Sequence, residues 1–202
     1  MNTKGILMSI LMIGVVAMAA GAGTFAYFSD TETSTGNTFT AGTLDLKVNS
    51  GDSNVVMFNV NDVKPGDSGS AEINLSNAGS LDGYLDINFS NVVDNDPTLT
   101  DPEDEVDDTQ GDGQGELADN LDILAYIDEN GNSTYDAGTD ALVYDGKAIN
   151  IAGEQLSNYS LTSGASKTFR IEWSVDSGVG NVIQDDEAGF DIEFELAQTT
   201  GQ

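Results

Sequence analysis

An antiparallel β-sandwich is the fold this sequence predicts, and three observations predict it. Short runs of period-two alternation recur along the chain, turn-forming residues separate them, and no segment beyond the apolar N-terminus carries a long helical repeat. At 202 residues the chain has room for one domain with a real core.

Taken in order, Met1 to Lys4 is a short, weakly basic start, and Gly5 to Ala20 is apolar without a charge. That length suits a signal-peptide core, about 7–15 apolar residues, better than a membrane span of about 20. Cleavage is expected, with an uncleaved membrane anchor as the alternative. A literal Ala-x-Ala site stands at Ala20-Gly21-Ala22. The strand runs follow. Leu44, Leu46 and Val48 alternate with Asp45, Lys47 and Asn49; Ile73 and Leu75 with Glu72 and Asn74; Leu85, Ile87 and Phe89 with Asp86, Asn88 and Ser90. Phe169, Ile171, Trp173 and Val175 share one face, as do Phe190, Ile192, Phe194 and Leu196. At strand spacing, Phe169 and Trp173 read as core residues rather than a ligand shelf. Turn makers stand between runs at Pro65-Gly66, Asp82-Gly83, Asp145-Gly146 and Ser163-Gly164.

Composition excludes most hydrolytic chemistry. The chain has no cysteine and no histidine, which removes disulfides, zinc-hydrolase ligands and the Ser-His and Cys-His nucleophile pairs together. No catalytic residue is assigned. Acids number 35 against 6 bases, and loss of Lys4 with a leader would leave 5 bases and a net charge of −30. Repulsion on that scale disfavours nucleic acid and anionic lipid, so contact with a membrane is expected only through an uncleaved leader. Scarce lysine with acids spread throughout points to a high-salt habitat, where the Debye length falls to roughly 3 Å at 1 M, or to bound divalent cations.

Two acidic stretches bear on the second reading. From Asp94 to Asp119 acids and glycines dominate, a loop that is either disordered or ordered by something bound. The sharper pattern is Asp128, Asn130, Asn132, Asp136 and Asp140. Calcium takes 6–8 oxygens at about 2.3–2.6 Å, and Asp128, Asn130, Asn132 and Asp136 match positions one, three, five and nine of a calcium-binding loop. Ser133 stands where that loop has glycine and Thr139 where it has glutamate, a role left to Asp140. An Asx-rich hairpin loop between Ile123–Ile127 and Ala141–Tyr144 fits the same residues. Sequons occur at Asn74, Asn88, Asn132 and Asn158, and Asn158, in an expected loop, is the best acceptor.

A resemblance adds to this. The run Thr24-Phe25-Ala26-Tyr27-Phe28-Ser29-Asp30, then Asn37-Thr38-Phe39 and Ala41-Gly42-Thr43-Leu44-Asp45-Leu46, resembles the start of the TasA/camelysin family, secreted fibre-forming matrix proteins with archaeal relatives that build bundling pili. Lys64-Pro65-Gly66-Asp67-Ser68-Gly69, Leu75-Ser76-Asn77-Ala78-Gly79-Ser80-Leu81 and the closing strand Phe190 to Gln198 are similar too, whereas 91–165 lies outside the resemblance. Pro65-Gly66 reads as a structural turn all the same. The resemblance implies a jelly roll over 41–202, and a signal peptide over 1–26 cut between Ala26 and Tyr27 by a dedicated signal peptidase. It further implies a donor-strand segment over 27–40 whose Phe28 and Phe39 anchor in the next subunit. The function it implies is a structural subunit of an extracellular, head-to-tail homopolymer. A monomeric calcium-binding surface module is the alternative, and a camelysin-type metallopeptidase a third.

Overall fold

Two five-stranded antiparallel sheets face each other in a computed structural model that describes residues 42–53, 55–60, 62–99 and 101–200. The described residues belong to the compact unit Ala41–Gln202; the leader, the cleavage pair Ala26 and Tyr27, and Phe28 and Phe39 lie outside them. In chain order the elements are β1 (Leu46–Val48), β2 (Val55–Val60), β3 (Ser68–Asn77), β4 (Gly83–Asp96), β5 (Gly111–Asp112), α1 (Leu117–Asn120), β6 (Leu121–Asp128), β7 (Ala141–Lys147), β8 (Gln155–Leu161), β9 (Ser166–Val175) and β10 (Glu187–Ala197). One sheet runs β1-β3-β9-β6-β7; in the other β2-β10-β4 continues to β5 at one end of β4 and to β8 at the other. From β3 the chain passes to the opposite sheet at β4, back at β6, and again at β8, β9 and β10, with β4–β5 and β6–β7 the consecutive pairs that stay in one sheet. That alternation makes the sandwich jelly-roll-like.

The alternating runs supply the core. Phe169 and Ile171 of β9 meet Phe194 and Ile192 of β10 and Leu85, Ile87 and Phe89 of β4, all buried. Phe89 stands edge-on to Phe190 and Phe169 edge-on to Phe194, with ring centroids 5.6 and 5.5 Å apart, and Phe89 and Phe169 are tilted against each other at 6.5 Å. Three local readings change. Val55–Val60 forms β2 although it has no polar alternation. Asp145-Gly146 lies inside β7 rather than in a turn: the Tyr144 ring folds over Gly146, where a Cβ would sit 2.7 Å from the phenol oxygen, and the hydroxyl donates to the Lys147 carbonyl at 2.6 Å. Asn158 lies in β8, not in a loop. It is exposed with φ +62°, next to a break in the β4–β8 register, and its N–H donates to Asp86 Oδ1.

Two signature-like motifs have structural roles. In Lys64-Pro65-Gly66-Asp67, proline sets the first turn position, Gly66 takes φ +89°, and Asp67 N–H donates to the Lys64 carbonyl at 3.0 Å. That turn launches β3. The second motif is a corner after β3. Buried Asn77 donates from Nδ2 to the Leu81 and Leu161 carbonyls and accepts the Gly79 N–H on Oδ1. Residues Gly42 to Asp45 lie along this corner: Ala78 N–H donates to the Asp45 carbonyl at 2.7 Å, and the N–H groups of Ser80 and Leu81 donate to the Thr43 carbonyl at 2.8 and 3.1 Å. A Cβ on Gly79 would stand 2.2 Å from the Thr43 carbonyl oxygen. Backbone cannot yield as a side chain can, so Gly79→Ala is expected to destabilise by at least the 1–3 kcal/mol typical of overpacking. A thermal melt should show this as a fall of roughly 3–10 °C.

Candidate functional site

The sheet β1-β3-β9-β6-β7 is unfinished at one edge. β3 has 10 residues but its outer neighbour β1 has 3, pairing Leu46–Val48 with Leu75–Asn77. Asn49 N–H donates to the Asn74 carbonyl and Asn49 Oδ1 accepts the Asn74 N–H, so even-numbered backbone groups of β3 point away from β9. Odd-numbered ones point towards it, as the Asp67 carbonyl accepting Val175 N–H shows. The N–H and C=O groups of Ser68, Ser70 and Glu72 therefore face outward, and among the described residues no strand pairs with them. Among the described residues the inner face is uncovered at the same place. Ala71 and Gly69 alternate in phase with buried Ile73 and Leu75, yet Ala71 is exposed and Gly69 and its partner Trp173 are only half-buried. The Trp173 indole lies over Gly69, where a Cβ would be 2.8 Å from the ring.

The Asp128–Asp140 loop is tied by its own hydrogen bonds. Asp128 accepts the N–H groups of Gly131 and Ser133 at 2.7 and 2.8 Å, and Asp140 accepts those of Glu129 and Asp136. Asp136 Oδ2 accepts the side-chain amides of Asn130 and Asn132, whose own oxygens accept N–H groups two residues on. Burial pushes the Asp128 carboxyl up, but backbone N–H groups, Ser133 and Gly131 foremost, outweigh it and hold the group below its usual range. These five side chains are thus drawn together as a network of Asx turns.

A different set of carboxylates converges on one point. Asp96, at the end of β4, Glu103, in the acidic insertion, and Asp186, just before β10, each offer an oxygen within 4.8 Å of the others, and all three are buried. Asp186 Oδ2 accepts the N–H groups of Glu116 and Leu117, and Asp96 Oδ1 accepts that of Thr98. Their second oxygens, Asp186 Oδ1 and Asp96 Oδ2, are buried with no hydrogen-bond partner, as are Asp94 Oδ1 and Glu116 Oε2. Burial, with Asp96 and Asp94 nearby, pushes Asp186 up to about 6 against its two backbone donors; burial, then the side-chain bond with Asp107, pushes Glu116 up to about 8. Asp94 and Asp96 are raised by burial too. Asp96, Glu103 and Glu116 lie among the many acids of the 94–119 stretch, an acidic insertion in the sandwich, but Asp186 sits in a distant segment with no motif to mark it.

A protein-family model described as camelysin metallo-endopeptidase matches residues 3–202. No curated protein matches the chain. Among solved structures, the crystal structure of a protein from Sulfurospirillum deleyianum is similar at 15% identity, over 71% of this chain and 98% of that one, with a TM-score of 0.26, a likeness too weak to bear on the fold.

Proposed function

The chain belongs to the camelysin family, matched from residue 3 to residue 202, and from that premise we propose that it is a structural subunit of an extracellular filament assembled by donor-strand complementation. The segment 27–40 of one subunit adds to the outer side of β3 in the next, continuing the line of β1. Phe28 and Phe39 enter the uncovered end of the sandwich. The observation that carries this reading is the exposure of inward-facing Ala71 beside the outward N–H and C=O groups of Ser70 and Glu72. Such an edge is an aggregation hazard unless a strand covers it, and strand addition gains main-chain hydrogen bonds along with apolar contacts. Because the contact is head-to-tail, it propagates. Catalysis is not part of the proposal, since a chain with no histidine or cysteine has neither an imidazole nor a thiolate for hydrolytic zinc.

Sedimentation and electron microscopy of the purified secreted protein test the assignment, with N-terminal sequencing expected to read from Tyr27. Filaments are the expected result. A monomer at every protein and salt concentration would favour a surface module instead, and casein cleavage that stays with the protein through purification would favour a peptidase.

A further inference from the structure

We propose that Asp96, Glu103 and Asp186 form a buried calcium site, which fastens the acidic insertion to the sandwich and is separate from the Asp128–Asp140 loop. Geometry comes first. Three oxygens no more than 4.8 Å apart share a centre within about 2.8 Å of each, so closing by a few tenths of an ångström reaches the 2.3–2.6 Å of calcium–oxygen bonds. Magnesium wants about 2.0–2.1 Å and a near-ideal octahedron, a larger contraction for groups on three separate segments.

Charge supplies the second argument. Asp96 and Asp186 are 0% and 3% exposed, and each keeps one oxygen without a partner, an arrangement too costly for ionised carboxylates unless something positive meets them. Among the described residues no base pairs with Asp96 or Asp186. Lys47 pairs with Asp45 and Asp52, Lys64 with Asp67, Lys147 with Asp122, Lys167 with Glu129, and Arg170 with Glu72 and Glu172. These are all the bases after Lys4, so what neutralises the carboxylates comes from solution, as a proton or as a cation. Three carboxylates sharing a divalent ion leave a net charge of −1 at the site. Asp94 Oδ1 and Glu116 Oε2, also buried and without partners, belong to carboxylates that interact electrostatically with Asp186 and would support the coordination shell.

One of the three borders an opening to solvent. Asp186 lines a cavity of about 690 Å³ bounded by Asp62, Pro65, Pro97, Asn181 and Glu187, wide enough for a hydrated ion to approach. Lys64, which lines it too, is held by Asp67. An ion here would join the end of β4, the 101–106 turns, the residues that open α1 and the segment entering β10, and so would order an acidic stretch that otherwise repels itself.

The test uses the protein as purified, stripped with chelator and melted with calcium, with magnesium or with neither, all at one ionic strength. At a hundredfold excess over Kd, calcium should raise Tm by roughly 5–10 °C, with one ion retained per chain after gel filtration. Asp96→Asn with Asp186→Asn should abolish the shift, while Asp128→Ala with Asp136→Ala should keep it. Hydrogen exchange on the wild-type protein does not depend on any variant folding: calcium should protect 94–119 and 184–187 and leave 128–140 unchanged. Equal shifts with calcium and magnesium, a shift that survives the Asp96/Asp186 change, or protection centred on 128–140 would each overturn the assignment.

Discussion

Deleting residues 27–39 should yield a folded domain that no longer pellets. In the proposed filament this segment contributes its apolar anchors to the next subunit, so its loss removes the contact between subunits and spares the core of Phe169, Phe190 and Phe194. Burying Phe28 and Phe39 is worth on the order of 1.5–3 kcal/mol each, and Phe39→Asp should weaken filaments far more than it lowers Tm. Salt should strengthen assembly, because subunits carrying 35 acids and few bases repel until they are screened. Pelleting and circular dichroism of the truncated protein, with a peptide of residues 27–40 added back, make the measurement. An unfolded truncated chain would mean that the segment is a strand of its own domain. Filaments from a folded truncated chain would remove strand exchange from the mechanism.

A pair of proline substitutions one residue apart should give opposite outcomes. The Ser70 N–H faces the open side of β3, where proline is tolerated, so Ser70→Pro should leave the melting curve nearly in place while blocking the incoming strand. Ala71 has its backbone groups turned towards Ile171 of β9. Ala71→Pro should therefore break the sheet, costing about 1–3 kcal/mol for the orphaned partner alone before any steric disturbance. Thermal melts and pelleting on both variants check the pair. If Ser70→Pro still forms filaments, the donor strand docks elsewhere.

What could be read from the sequence was what obeyed a local period. Phe169 to Val175 and Phe190 to Leu196 alternate cleanly because one side of each strand meets the core and the other meets water or an ion pair. β2 escaped that rule. Its solvent side carries Val55 and Met57, 45% and 68% exposed, so the pattern that marks a half-buried strand is absent. β8 escaped for another reason: the register break opposite β4 and the left-handed Asn158 put inward-leaning Leu156 and Tyr159 three residues apart instead of two. Asp145-Gly146 looked like a turn because its glycine was read for flexibility, whereas its use is the space it leaves for Tyr144. The carboxylate cluster shows the limit most plainly. Asp96 and Glu103 stood out only as two acids among many, and the partner that gives them meaning, Asp186, is brought in by β10 pairing with β4. The open edge was likewise out of reach, since it depends on β1 stopping after three residues beside a strand of ten.

The corner built on Asn77 and Gly79 has a mechanical consequence. Whatever pulls on the chain ahead of Gly42 pulls on a short extended piece bound by the Thr43 and Asp45 carbonyls to the N–H groups of Ala78, Ser80 and Leu81, and continuing into β1. Tension along that piece reaches those bonds before it reaches the core. Resistance to forced unfolding follows the unfolding rate rather than the equilibrium stability, so in the proposed filament these bonds would be the first of the domain to carry the load. Gly79, where a Cβ would stand 2.2 Å from the Thr43 carbonyl oxygen, is the residue that lets the two backbones lie so close under that load.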